Sequence, residues 1–198
     1  MSHLPILPVL VPMFAGALLL VLGASMDTKR ALSLLATFLQ IPLAAMLVVE
    51  AGQGIGVYAL GNWMPPFGIV LTVDGLAALM LLIVSGAGAA ALLAARPSVD
   101  AQIEQHRQPL FYSAWLLTLA GLCGIVVSAD AFNIFVFMEI SSLASYVLVA
   151  GGSDRRALPA VFKYLIMGTI GATFYLIGVG LVYMMTGTLN LADMELRI

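Results

Sequence analysis

The chain has 198 residues, 62% of them hydrophobic and only 9% charged, with a net charge of −2, and its mean hydropathy is +1.09. Soluble domains carry about 25% charged residues, and a water-soluble fold of this size has no core large enough to hide so much apolar surface. The composition therefore excludes a soluble globule and predicts an all-α, polytopic membrane protein, a single transmembrane domain over 1–198.

Six stretches meet the requirement of about 20 helical residues to cross about 30 Å of hydrocarbon. They run at 4–24, 31–50, 72–95, 110–129, 131–151 and 160–185. The first begins in MSHLPILPVLVPM, which has neither a positive n-region nor a small-residue cleavage site, and is read as a helix that stays in place. Between the second and third, residues 51–71 are glycine-rich, and Pro65-Pro66 forbids regular helix. A structured outer turn or small hairpin is expected there, with Tyr58, Trp63 and Phe67 near the headgroups. Small residues at 85–91 (SGAGAAA) and 168–172 (GTIGA) would let neighbouring helices approach closely. Residues 96–109 (RPSVDAQIEQHRQP) form the most polar segment and are expected to be a loop.

Charge placement gives an orientation. Lys29 and Arg30 fall in the first loop, Arg96 and Arg107 in the third, and Arg155 and Arg156 in the fifth. Six spans put these loops on one side, and the positive-inside rule makes 25–30, 96–109 and 152–159 cytoplasmic. Both termini then face outward. No basic patch suits nucleic acid. The lone Cys123 excludes an internal disulfide or a multi-cysteine metal cluster. The chain carries no Walker loop, no GxGxxG before a helix, no HExxH and no CxxC, so no cofactor and no metal are expected.

Glu139 stands out. It lies halfway along its apolar stretch, in NIFVFMEISSLASYVLV, where an acidic side chain costs about 2.5–3.5 kcal/mol on insertion scales. Such a group normally faces protein or water and marks a proton or ion pathway. The plainer reading is a permanently protonated acid bonded to a neighbouring helix. Ser142 and Ser145 follow it, with Ser141, and can carry hydrogen bonds or ordered water. Lys163, in LPAVFKYLIMG, is the electrostatic partner to consider. At 1.5 Å per residue, Glu139 lies about 16 Å below its helix end and Lys163 about 5 Å below the start of the next, so water between them is expected rather than direct contact. The plainer reading is a lysine that snorkels to the interface. Asp74, Asp130 and Glu50 sit at helix ends, where they act as caps or as accessory groups. His106 is a proton-entry group or a solvated loop histidine.

These residues fall in familiar surroundings. YALGNWMPPFGIVLTVDGLAALMLL (58–82) resembles the entry to the third helix of the D subunit of Mrp-type multisubunit sodium/proton antiporters. DAFNIFVFMEISSLASYVLVA (130–150) is similar to that family's fifth helix, and 157–194 to its sixth and the exit from it. Antiporter-like subunits of respiratory NADH–quinone oxidoreductase and of membrane-bound hydrogenases are similar too. The resemblance implies a fold of about fourteen helices with two inverted repeats of five, working in a multisubunit complex of the bacterial inner membrane. It implies that Glu139 is the family's essential fifth-helix glutamate and Lys163 its sixth-helix lysine. The family's glutamate pairs with a lysine on a broken seventh helix, whereas this sequence ends at LADMELRI, soon after the sixth. The expectation is an incomplete copy of the fold: a fragment, a truncated product, or a subunit completed by another polypeptide, not transporting by itself. The implied function is proton translocation or Na+/H+ antiport, with a redox-driven proton pump subunit or a non-transporting assembly subunit as alternatives. The implied partners are H+, Na+, the lipid bilayer and other membrane subunits. No dense acidic cluster offers a sodium site in these helices.

Overall fold

The computed structural model describes residues 3–198 except Met64, Pro66, Phe67 and Ser153. Among the described residues, six helices are long and apolar enough to cross a membrane. A short 3-10 turn, Leu4–Ile6, leads into α1 (Leu7–Val21), followed by α2 (Met26–Ala51). The strands β1 (Gly56–Ala59) and β2 (Val70–Val73) come next, then α3 (Gly75–Gln102), α4 (Gln108–Val127), α5 (Ala131–Ala150), α6 (Ala157–Thr186) and a short α7 (Leu191–Arg197).

Helix α4 is the centre of the bundle. It packs on α1, α2, α3 and α5, and α6 in turn packs on α5. Glycines set the α4–α5 approach. A Cβ on Gly121 would fall 2.7 Å from the Ser141 backbone, and one on Gly124 would overlap the Phe137 ring. The small residues singled out at 85–91 and 168–172 behave unevenly. Gly88 and Gly168 face close neighbours, whereas Gly86 and Gly171 face open space.

Two apolar clusters fill the bundle at different depths. The first gathers Val9, Ala44, Leu47, Leu71, Val73, Leu81, Leu119 and Val127. The other gathers Ala15, Leu19, Ala36, Leu92, Tyr112 and Leu116. The hairpin closes the end of the bundle at the first of these clusters: β1 and β2 pair antiparallel, Gly56 opposite Val73 and Ala59 opposite Val70. Leu71 pairs on with Ser128, and Val70 accepts from the Ala129 N–H at 3.0 Å. Of the aromatic residues expected there, Tyr58 donates to or accepts from His3 at 2.9 Å and Trp63 is exposed; Phe67, like Pro66, lies outside the described residues.

Several boundaries differ from the expected ones. Helix α2 starts five residues early, because Ser25 caps it by accepting from the Thr28 N–H, so Lys29 and Arg30 belong to its first turns rather than to a loop. The segment 96–109 is not all loop: α3 continues through Pro97 to Gln102, and α4 begins at Gln108. Pro97 removes one N–H, and that is a small loss in a helix of 28 residues. Residues 72 and 73 belong to β2 rather than to the third helix, and α6 starts at Ala157, three residues early.

Candidate functional site

Glu139 is the ninth residue of the 20-residue α5 and is partly buried. Positions three and seven residues on share its face of the helix, and these are Ser142 and Tyr146. Tyr146 is buried, one helical turn beyond Ser142 and two turns beyond Glu139 on the same face. Its ring meets Tyr164 of α6 edge to face, with centroids 4.8 Å apart, and its hydroxyl lies against Gly168, where no Cβ would fit. A second clasp joins the same two helices on the other side of Glu139, in the first half of α5 and the last half of α6. Phe135 stacks on Tyr175 at 6.4 Å, and the Tyr175 hydroxyl donates to the Ala131 carbonyl at 3.0 Å. Glu139 sits between the two clasps.

Lys163 precedes Tyr164 and is exposed on α6. Because α6 begins at Ala157, the lysine lies about 9 Å inside its helix at 1.5 Å per residue. Among the described residues no ion pair joins it to Glu139; the pairs found are Arg30–Asp100, His106–Glu104 and Arg197–Asp193. Tyr146 occupies the interval. It lies about 10 Å along α5 from Glu139 and touches the residue next to Lys163. Sequence reading passed over Tyr146; its i+7 spacing from Glu139, with Ser142 between, was the available signal.

The serines are partly committed to the backbone. Ser145 donates to the Ser141 carbonyl at 2.7 Å, and Ser141 to the Met138 carbonyl at 2.9 Å. Asp130 and Asp74 are helix N-caps. Asp130 accepts from the Asn133 N–H at 2.8 Å and Asp74 from the Ala77 N–H at 2.7 Å. Asp130 also lies in a bridge with Asn190, which ties α5 to the segment before α7. At nine residues from Glu139 it stands about 13 Å away along the helix. His106 is exposed, 3.5 Å from Glu104, in the turn near the far end of α5. The structure thus gathers Glu139, Ser142 and Tyr146, leaves Lys163 one residue beyond, and holds Asp74, Asp130 and His106 apart. Among the described residues no group of three acidic, histidine or cysteine side chains is placed to hold a metal.

The fold is a glycine-packed, polytopic helical bundle with the Glu139 carboxyl at mid-span of α5. Residues 128–198, which include Glu139 and Lys163, match the family model "NADH:quinone oxidoreductase/Mrp antiporter, TM". Across its whole length the chain is 42% identical to the N subunit of NADH-quinone oxidoreductase from Desulforudis audaxviator. It is likewise 34% identical to the D subunit of the Na(+)/H(+) antiporter from Alkalihalophilus pseudofirmus. In both comparisons it spans 40% of the relative's length. Among solved structures, a chain of the archaeal membrane-bound sulfane sulfur reductase superposes with a TM-score of 0.84 at 31% identity, over 98% of this chain and 39% of that one. A chain of the Mrp complex from Dietzia sp. DQ12-45-1b gives 0.82 at 29% identity, over 98% and 36%. The chain belongs to the NADH:quinone oxidoreductase/Mrp antiporter transmembrane family and corresponds to the N-terminal portion of its longer members.

Proposed function

We propose that this chain moves protons, in exchange for sodium, as the N-terminal part of an antiporter subunit in a multisubunit complex of the bacterial plasma membrane. The observation that carries this reading is Glu139: a carboxyl at the middle of a spanning helix, held between two aromatic clasps to α6. A carboxyl at that depth stays only if it is protonated, hydrated or met by a cation. It therefore gains and loses a proton as those neighbours change. Ser142 and Tyr146 extend it toward Lys163, and the tyrosine hydroxyl, which both donates and accepts, passes the proton along. In this reading the lysine partner of Glu139 comes from helices beyond these six, docked on the open face of α6. The likeness to the D subunit of a Na(+)/H(+) antiporter supports sodium as the exchanged ion.

Orientation follows from the basic residues at one end of the bundle: both termini outward, and 25–30, 96–109 and 152–159 cytoplasmic. A single cysteine placed at Gln105 in a Cys123→Ser background is expected to react with an impermeant maleimide from the cytoplasmic side only.

A redox-driven proton pump is the second reading, favoured by the identity to the N subunit of NADH-quinone oxidoreductase. Purification of the tagged chain with its bound partners, followed by sodium-dependent proton movement in vesicles holding that complex, separates the two. Antiporter subunits and a sodium-dependent proton signal support exchange. Flavin or iron–sulfur partners and a sodium-independent signal move the function to the pump.

A further inference from the structure

Outside the Glu139 face, the bundle buries a polar surface on α2. Ser33, Thr37 and Gln40 are fully buried, and their spacing of four and three residues puts them on one face of the helix. Among the described residues, the Ser33 and Thr37 hydroxyls and both polar atoms of the Gln40 amide have no hydrogen-bond partner. Buried polar groups are almost always bonded, because leaving one unpaired forfeits its hydration. Hydroxyls in a spanning helix usually escape by donating to the carbonyl one turn back, as Ser85 does to Leu81 and Thr118 to Ala114. The α2 hydroxyls do not.

The face has a mouth and a blind end. One turn before Ser33, Arg30 pairs with Asp100 and donates to Gln108 at 2.6 Å, while its Nε is buried with no partner among the described residues. Beyond Gln40 the next buried positions are Ala44 and Leu47, which belong to the first apolar cluster with Leu81 and Leu119. Arg30 to Gln40 spans about 15 Å of helix, half of the roughly 30 Å hydrocarbon layer.

We propose that this face of α2 binds a file of water inside the α1–α4 bundle, running from the Arg30–Asp100 pair to a blind end at Gln40. Water fits this set better than a monovalent cation. The Gln40 amide supplies an unpaired donor as well as an acceptor, and a cation has no use for a donor; water donates and accepts in turn. The file carries protons to half depth, and the Leu47–Leu81–Leu119 cluster stops them there. It is separate from the α5 face that bears Glu139.

The test is X-ray hydroxyl-radical labelling of the full-length chain in its native complex in lipid nanodiscs, read by mass spectrometry. Radicals form from bound water in place, so labelling of a fully buried side chain reports water beside it. Leu116 and Leu81 are equally buried. Leu116 shares a cluster with Ala36, on the polar stretch of α2, and Leu81 belongs to the first cluster. Leu116 is expected to label about ten-fold faster than Leu81, because bound water lies beside it alone. In the Thr37→Val/Gln40→Leu variant the two rates should become equal. Equal rates in the unsubstituted protein overturn the proposal, as does an excess at Leu116 that survives the double substitution. If the variant fails to assemble, the ratio in the unsubstituted protein decides alone.

Discussion

At the scale of single residues, an apolar chain makes its few polar side chains informative, and their cost separates structural from functional ones. Asp74 and Asp130 satisfy backbone N–H groups at helix starts. Glu139 caps nothing and sits at mid-helix. That contrast was legible in the sequence, since a mid-span carboxylate needs no neighbours to be recognised. Tyr146 was only half legible: its i+7 spacing from Glu139 is in the sequence, but its contacts with Tyr164 and Gly168 of another helix are not. Its hydroxyl has a specific consequence. Tyr146→Phe keeps the ring against Tyr164 and removes only the proton-passing group. Proton movement by the assembled complex is expected to fall about ten-fold, the scale of one positioned proton-transfer group at its weakest, with subunit assembly unchanged in native gels. A second residue-scale prediction concerns Arg30. Its loss leaves the buried Gln108 carbonyl oxygen without its donor and the Asp100 carboxylate with only the Gln108 amide, at 3.4 Å. Arg30→Ala is expected to destabilise the chain by about 1–3 kcal/mol, the range for an orphaned buried group, read as a lower unfolding midpoint in detergent.

At the scale of elements, packing decides what hydropathy cannot. The six spans were visible as apolar runs, but their ends were not. The charged first turn of α2 is held by the Ser25 cap, and α3 runs on past Pro97. A turn or small hairpin at 51–71 was expected from its glycines and prolines, but the strand register and the seat against the α4–α5 connection join segments far apart in the chain, which a local pattern does not report. Glycines carry the same lesson, since Gly121 and Gly124 set the α4–α5 distance while Gly86 touches nothing. Gly124→Ala is expected to cost about 1–3 kcal/mol by overpacking against Phe137, whereas Gly86→Ala is expected to be neutral or slightly stabilising. Thermal unfolding of the two variants side by side checks this. The short α7 offers a pH dependence. The Arg197 guanidinium, 3.0 Å away, holds the Asp193 carboxyl below its ordinary value against an opposing effect of burial, with Thr188 assisting. A lowered value in the folded state means that its stabilisation is present above the ordinary carboxylate pKa and is lost as pH falls through the lowered one. Amide exchange over α7, corrected for intrinsic rates, should therefore quicken below about pH 4.

At the scale of the whole molecule, the share of buried residues falls from α4 to α6. The spanning window of α4 is 56% buried and that of α6 is 6% buried. Lipid accepts an apolar surface, so exposure of α6 alone says little. Its exposed face nevertheless carries Lys163, and the chain spans 40% of the length of its relatives. In the proposed function that face receives the remaining helices, and Glu139 meets its counter-charge there. The buried part of the molecule, α1–α5, was largely legible as a bundle because each helix is apolar enough to announce itself. The polar face of α2 was not, because Ser33, Thr37 and Gln40 are unremarkable in type and become unusual only once all three are buried on one side. The central claim is that Glu139 is the proton-carrying group, and proton movement in vesicles bearing the complete complex tests it most directly. Glu139→Gln is expected to abolish that movement with the complex still assembled, and Glu139→Asp to retain part of it. Undiminished movement in the assembled Glu139→Gln complex would contradict that claim.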